Sequence, residues 1–292
     1  MINPVCQVPM PARFVDVGVL PPALFHATYA GIAAAAENAT PVVVWGQARA
    51  HIALGACQSR TIELAPELDV DTVVRPLGGG AVWVDESQYC FVLIAPLAAV
   101  PARPVQWAAW GLAPALATFH HFGLPVTRRG EDLWLEGRKI AGSGTATIAR
   151  SAVLASSFLM RFPFERFARS IASPSPAFGA WLREGLRQAM TDWASHAPLP
   201  DAAELRSAFR YAVESRFGWH LEDSRPTTAE TAAGDEALAE MAELVFLDGA
   251  RRVAGGVKLN DAMFLTERRC GNTLVRELTI DGSPVRREIM PA

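Results

Sequence analysis

Arg75-Pro76-Leu77-Gly78-Gly79-Gly80-Ala81-Val82 sets three successive glycines between two short apolar runs. Residues without a Cβ let the backbone pass close to a bound group and offer it bare N–H donors. Alone, the stretch also suits a flexible hairpin loop, and it is not a P-loop, because no Gly-Lys-Ser/Thr follows. The second half of the reading is Glu131-Asp132-Leu133-Trp134-Leu135-Glu136-Gly137-Arg138-Lys139-Ile140-Ala141-Gly142-Ser143. Glu136-Gly137 signals a two-residue turn, which places Lys139 on the return strand, level with Trp134 or Leu133. Pointing inward among Ile140 and the glycines, Lys139 holds a compact cation where it can neutralise a carboxylate or phosphate; an exposed hairpin lysine is the alternative.

Composition sharpens the interest in that lysine. Only two of the 27 basic residues are lysines, Lys139 and Lys258; the others are arginines. A chain that uses arginine for ordinary surface charge marks a lysine as a place where a guanidinium will not do. Lys258, in Gly255-Gly256-Val257-Lys258-Leu259-Asn260, has no motif partner and reads as surface charge or a contact within the carboxy-terminal unit.

The chain has 292 residues, 50% hydrophobic and 20% charged, with a formal net charge of -3. That is enough apolar material for a conventional core and excludes a disordered tail or a disulfide-stapled miniprotein. A near-balanced charge argues against nucleic acid, whose phosphates need a basic footprint. Cys6, Cys57, Cys90 and Cys270 are too far apart for a ligand pair or a disulfide framework, which favours a reducing, cytoplasmic setting. No secretory signal is visible, since Met1 to Asp16 is broken by Pro4, Pro9 and Pro11. The uncharged run from Pro104 to Thr127 contains Gln106, His120, His121 and three prolines, so it reads as a buried helix and not a membrane span.

From Pro41 to Phe162, short β-type runs alternate with glycine-rich or polar turns. Strands are expected at Val42–Trp45, Val73–Arg75, Ala81–Val84, Tyr89–Ala95, Leu133–Leu135 and Val153–Met160. One helix interrupts them, carrying Trp107, Trp110, Leu116 and Phe119, with a kink at Pro114 and a stop at Gly123. Helices follow: one with Phe178, Trp181, Leu182, Leu186 and Met190, and one capped by Asp201 and Glu204, carrying Leu205, Phe209, Val213 and Phe217 and stopped by Gly218. A further helix over 235–247, with Leu238, Met241 and Leu244, ends before Asp248-Gly249, and a hairpin turns at Asp281-Gly282. The fold class is α+β: mixed β-sheets flanked by helices, with residues 1–220 as the main domain and 221–292 as a small carboxy-terminal accessory α/β unit.

Together the two glycine-bearing segments resemble the biotin/lipoate protein ligase superfamily, within it the lipoate-protein ligase A and octanoyltransferase branch. In that family an arginine precedes a triple glycine and Ala-Val, as Arg75 and Gly78 to Val82 do here. A second family segment, roughly Asn-Asp-Leu, a turn, then Gly-Lys-Lys-Ile-Ser-Gly-Ser, is matched by Asp132-Leu133 and Gly137 to Ser143. Trp45 and Leu54-Gly55-x-x-Gln58 look like the family's first strand and the turn after it.

The resemblance implies a cytoplasmic enzyme that joins lipoate or octanoate to ATP's α-phosphate and passes the acyl group to a lysine of a lipoyl carrier domain. Such carriers are the acyltransferase subunits of 2-oxoacid dehydrogenases and glycine cleavage H-like proteins. It implies Lys139 as the catalytic residue, touching carbonyl and phosphate oxygens as charge develops. It places Arg75, Gly78, Gly79, Gly80, Ala81, Gly142 and Ser143 around the nucleotide, and Val82, Trp83 and Ile140 along the acyl chain. Asp132 would help hold Mg2+, which bridges phosphates.

The departures are specific. Family ligases show aromatic-His-Asp and then Gly-Asn after Ala-Val; here the row is Trp83-Val84-Asp85-Glu86-Ser87-Gln88. Where many members carry His-Gly, this chain has Leu154-Ala155-Ser156-Ser157. Octanoyl amidotransferases that also lack these histidines use a cysteine shortly before the Asp-Leu segment, and Leu124 to Glu131 contains none. A thioester route needs a thiolate at that place, so adenylation is favoured over cysteine transfer. A carrier-to-carrier transferase without ATP and a non-catalytic lipoyl-binding paralogue are the alternatives. His120-His121 has no second pair to make a metal site and reads as a helix C-terminal cap.

Overall fold

The turn read at Glu136-Gly137 joins two strands of an eight-stranded sheet, and both turn residues take positive φ (50° and 75°), as the tightest hairpins require. The computed structural model describes residues 10–35, 40–243 and 256–291. The first half of the chain contains β1 (Met10–Leu20), α1 (Pro22–Ala34), β2 (Val42–Ala48), β3 (His51–Leu54), α2 (Arg60–Glu63), β4 (Asp71–Val74), β5 (Val82–Val84) and β6 (Gln88–Pro96). Then come α3 (Trp107–Gly111), α4 (Ala113–His121), β7 (Thr127–Arg129), β8 (Asp132–Leu135), β9 (Arg138–Ile148) and β10 (Ser151–Leu159). The remainder is α5 (Phe164–Ser170), α6 (Pro176–Ala189), α7 (Ala202–Phe217), β11 (Trp219–Ser224), α8 (Thr228–Glu243), β12 (Gly256–Lys258), β13 (Met263–Cys270), β14 (Thr273–Ile280) and β15 (Ser283–Pro291).

The large sheet runs in the order β11-β1-β2-β6-β10-β9-β8-β7, with β1 parallel to both its neighbours and the rest antiparallel. A three-stranded sheet, β4-β3-β5, stands beside it, and the carboxy-terminal strands form the meander β12-β13-β14-β15. The expected α+β class is what the chain adopts.

One face of the large sheet buries an aromatic core under α3, α4 and α7, in which Phe91 meets Phe209 at 4.6 Å between ring centres. Its other face carries α1, whose Phe25, Tyr29 and Ile32 lie on Val44, Val92 and Val153. A third cluster packs β3 and β5 against α5 and α6, and the carboxy-terminal sheet joins it through Leu259, Met263, Leu265 and Leu278.

The strand expectations hold with small changes of boundary, the return strand carrying Lys139 is β9, and β1, β3, β7 and β11 are additional. The helix expected to kink at Pro114 is instead two helices meeting at Leu112, and Pro114 sits in the first turn of α4. There its missing N–H has no carbonyl to lose. Asp201 caps α7 by accepting from the N–H groups of Ala203 and Glu204, and Gly218 ends it at φ 67°. The Asp281-Gly282 hairpin is present, with φ 49° and 80°. The helix expected over 235–247 begins earlier, at Thr228; Leu244, Asp248-Gly249 and Cys6 lie outside the described residues. No helix among the described residues is long and apolar enough to cross a membrane.

Two features tie the far end of the chain to its start. β11 pairs with β1, and α8 crosses α1 so closely that a Cβ on Gly31 would collide with the backbone of Gly234. Arg13 on β1 holds Glu230 at 2.5 Å, and Thr227 and Glu230 cap the start of α8 reciprocally.

Candidate active site

A cavity of about 270 Å³ opens where the two smaller sheets meet the large one. The glycine loop Gly79-Gly80 forms one side, and Lys139 to Gly144 of β9 form the opposite side. Gly78 N–H donates to Thr145 O at 3.4 Å, which pins the loop across β9. Gly79 has φ 104°, closed to other residues without strain, and a Cβ on Gly80 would project into open space.

Arg75 is the loop's brace. It is 6% exposed, and its guanidinium donates to Ala53 O at 2.6 Å, Gly78 O at 3.0 Å and Gly80 O at 2.9 Å. Burial pulls its pKa down to about 10, which leaves it charged at neutral pH. The guanidinium that the resemblance places around the nucleotide is thus spent largely on loop carbonyls, although Arg75 still lines the cavity.

Lys139 lies opposite Trp134 on β8, and on its other side it bridges Met190, with Thr191 N–H donating to Lys139 O at 2.8 Å. Its backbone is therefore held on both flanks. The ammonium reaches Asp132 Oδ1 at 2.8 Å; the two side chains are 22% and 5% exposed. Asp132 Oδ2 is buried without a hydrogen-bond partner, and burial raises the Asp132 pKa even though Lys139 draws it down. Gly142 makes room for the pair, because a Cβ there would sit 2.6 Å from Nζ. Ser156 Oγ donates to Gly142 O at 2.7 Å and Ser143 Oγ to Glu131 O at 2.9 Å, fixing the strand around it.

Of the residues expected from sequence, Lys139, Arg75, Gly79, Gly80, Ala81, Val82, Trp83, Ile140, Gly142 and Ser143 line this one cavity. Gly78 stands just behind it, and Asp132 does not line it: the carboxylate is turned onto Lys139. Among the described residues no group of three His, Cys, Asp or Glu side chains is placed to hold a metal ion. His120, half of the doublet at the end of α4, uses its ring N–H on Val126 O at 2.6 Å.

Two wall residues, His26 and Tyr29, went unnoticed in the sequence. Tyr29 and His26 on α1, joined to His51 on β3, form a buried chain: Tyr29 Oη is 3.1 Å from His26 Nδ1, and His26 Nε2 is 2.9 Å from His51 Nε2. His51 Nδ1 faces Arg49 O at 2.7 Å and must donate to it. That choice makes His51 Nε2 an acceptor, His26 Nε2–H the donor to it, and Tyr29 O–H the donor to His26 Nδ1. Desolvation first, then repulsion by neighbouring charge, lowers the His26 pKa well below its usual value, and desolvation also lowers His51. Cys90 lines the cavity too, but burial pushes its thiol up to about 12, while Cys57 and Cys270 are exposed.

Lys258 was read as surface charge or a contact within the carboxy-terminal unit. It makes the second, pairing with Asp261, but it also lines the same cavity as Lys139, which neither reading foresaw. The carboxy-terminal meander carries it there, an arrangement that no local pattern announces.

Comparisons agree with the fold. The archaeal bi-partite lipoate protein ligase from Thermoplasma acidophilum, solved as part of a lipoylation system with its E2 lipoyl domain, superposes with a TM-score of 0.71 at 14% identity, over 79% of this chain and 93% of that one. A lipoate-protein ligase A bound with ATP gives 0.68 at 14%, covering 81% and 97%. P. falciparum LipL1 in complex with lipoate gives 0.60 at 10%, covering 90% and 80%. These likenesses establish the fold; a search of curated protein sequences found no match. The family model for the lipoyl protein ligase A/B catalytic domain matches residues 29–213, a span that contains the glycine loop, Lys139 and Asp132. The chain belongs to the lipoyl protein ligase A/B catalytic-domain family.

Proposed function

We propose that this protein is an ATP-dependent ligase that adenylates lipoate or octanoate and transfers the acyl group to a lysine of a lipoyl carrier domain. The observation that carries the reading is Lys139, a cation fixed by Asp132 at the wall of a cavity that also holds a bare-backbone glycine loop. Solved relatives that hold ATP, hold lipoate or come with an E2 lipoyl domain support the same substrates and partner here.

In the first step a carboxylate oxygen attacks the α-phosphorus of ATP; the new O–P bond forms as the bond to pyrophosphate breaks. Lys139 neutralises charge gathering on the carboxylate and phosphate oxygens, and the loop glycines let both groups approach the backbone. In the second step the carrier amine attacks the acyl carbonyl, the C–N bond forms as the C–O bond to AMP breaks, and the amine's proton passes to solvent. Lys139 then faces the carbonyl oxygen as it becomes an oxyanion. Asp132, 2.8 Å from the ammonium, keeps it directed at that place. A cysteine relay has no support: Cys90 is the cavity's thiol, and burial keeps it protonated.

The residues do not fit a Mg2+ ion held by Asp132. Its Oδ1 is engaged by Lys139, its Oδ2 is buried, and among the described residues no group of three His, Cys, Asp or Glu side chains is placed to hold a metal ion. Asp132 is a positioning residue for Lys139, and no step is assigned to a metal.

The test is the intact mass of an apo lipoyl carrier domain after incubation with the protein and octanoate or lipoate, with and without ATP and Mg2+. A mass gain of one acyl group only with ATP is expected. A gain from an acyl-loaded donor domain without ATP would replace the ligase by a transferase, and no gain from either donor would leave a binding protein.

A further inference from the structure

The chain's two lysines lie far apart in sequence and in different sheets, yet both line one cavity, and each is held by an aspartate of its own. Lys258 ends β12, and the loop after it is locked in place. Asn260 donates to Ala189 O at the end of α6 and accepts from the N–H groups of Ala262 and Met263. Leu259 fills the space left by Gly185, where a Cβ would come within 2.7 Å of its side chain. Asp261 is anchored in turn by the N–H of Glu131, on the turn that leads into β8 and Asp132. The two ion pairs sense each other: burial raises the Asp132 pKa while Lys258 as well as Lys139 draws it down, and Lys139 as well as Lys258 draws down that of Asp261.

An ammonium has three N–H donors, and Asp261 takes one from Lys258, leaving two for an occupant of the cavity. A point charge with rotatable donors suits phosphate oxygens at varying positions, whereas an arginine fork would demand one planar geometry. Surface pairs elsewhere in the chain use arginine, so lysine at both cavity positions and nowhere else follows the site and not the composition.

Building on the ligase reading above, we infer that Lys258 is a second phosphate-binding residue of the active site, delivered by the carboxy-terminal sheet to the polyphosphate of the nucleotide while Lys139 serves the reacting carbonyl and α-phosphate oxygens. The carboxy-terminal sheet is then a part of the nucleotide site, not a separate docking module.

The test compares wild type with Lys258→Met and Asp261→Asn, using calorimetric titration with ATP, separate titration with octanoate, melting temperature, and KM against kcat for carrier acylation. Lys258→Met should weaken ATP binding and raise KM for ATP at least tenfold, with octanoate affinity within twofold of wild type. Asp261→Asn breaks the same ion pair but keeps the cation, so its ATP affinity should stay at or above that of wild type. Equal losses in both variants would make the pair merely structural and overturn the inference, as would a folded Lys258→Met that binds ATP normally. If Lys258→Met does not fold, Lys258→Gln, one atom shorter but still offering a donor to Asp261, is held to the same tenfold criterion. Wild type that fails to bind ATP overturns the ligase reading together with this one; wild type that binds it, with unaffected variants, overturns this one alone.

Discussion

Replacing Gly142 by alanine tests the site with a single methyl group. Gly142 is absent from the positive-φ residues, so its backbone accepts a side chain, and the whole effect comes from what the methyl meets. The new Cβ would lie 2.6 Å from Lys139 Nζ, 2.8 Å from its Cε and 3.2 Å from Asp132 Oδ1. Non-bonded carbon needs about 3.5–4.0 Å, so the ammonium must withdraw by about 1 Å. A displacement of that size costs on the order of 100-fold in rate, about 2.7 kcal/mol of transition-state stabilisation. The stretched pair should lower folding stability by only about 1 kcal/mol, because a lysine end relaxes easily. Single-turnover acylation of a carrier domain, followed by intact mass at saturating ATP and octanoate, measures the rate, and urea titration measures the stability. A well-folded Gly142→Ala protein acylating within threefold of wild type would show that the position of Lys139 is immaterial, and the mechanism above would fall with it.

Asp132→Asn should separate stability from activity. Burial holds the Asp132 pKa up despite Lys139, so at neutral pH the ionised group is worse off folded than unfolded. The variant should match or exceed wild-type stability at pH 7, with the difference shrinking as pH falls through the folded-state pKa and wild type protonates, while acylation drops; a clear loss of stability at pH 7 contradicts this. His26 and His51 act in the opposite sense, since their folded pKa values lie below the unfolded value. Their contribution is intact above about pH 6.5 and declines as pH falls below it, by up to about 1.4 kcal/mol per pH unit for each histidine, and His26→Gln should flatten that slope in urea titrations at pH 7.5 and 5.5. Arg276, 1% exposed, binds Glu267, Glu288 at 2.6 Å and Ser175 at 3.2 Å, joining the carboxy-terminal sheet to the start of α6. Arg276→Met leaves Glu267 buried and unpaired, so a loss of about 3–5 kcal/mol is expected by chemical denaturation, and a loss under 1 kcal/mol would show the network to be idle.

The two glycine-bearing segments carried most of the legible information, because tight turns, bare backbone and a rare lysine leave local marks. What stayed hidden had physical reasons. α1 is buried between the sheet and α8 and lacks a polar face, so it shows no amphipathic period to read. β9 runs through Gly142-Ser143-Gly144, residues that propensity assigns to loops; here they keep the strand thin beside a cavity. His26, Tyr29 and His51 are a unit only after α1 has packed over β3, and single histidines in a sequence announce nothing. The cavity position of Lys258 stayed hidden for a related reason: its partner Asp261 is local, but its neighbours Lys139 and Asp132 are brought to it by tertiary packing.

The crossing of Gly31 and Gly234 has a consequence for how the molecule comes into being. α1 supplies Phe25, His26 and Tyr29 to the cavity wall, but the helix that covers its back, and the strand that closes the sheet beside β1, emerge from the ribosome roughly 200 residues later. At about 5–20 residues per second the interval is roughly 10–40 s, during which the nascent chain carries an uncovered apolar helix and an open sheet edge. Long-range closure of this kind is slow and exposed to aggregation. Cavity assembly is therefore one of the last events of synthesis, and a chain released before α8 lacks the helix that backs its own cavity wall.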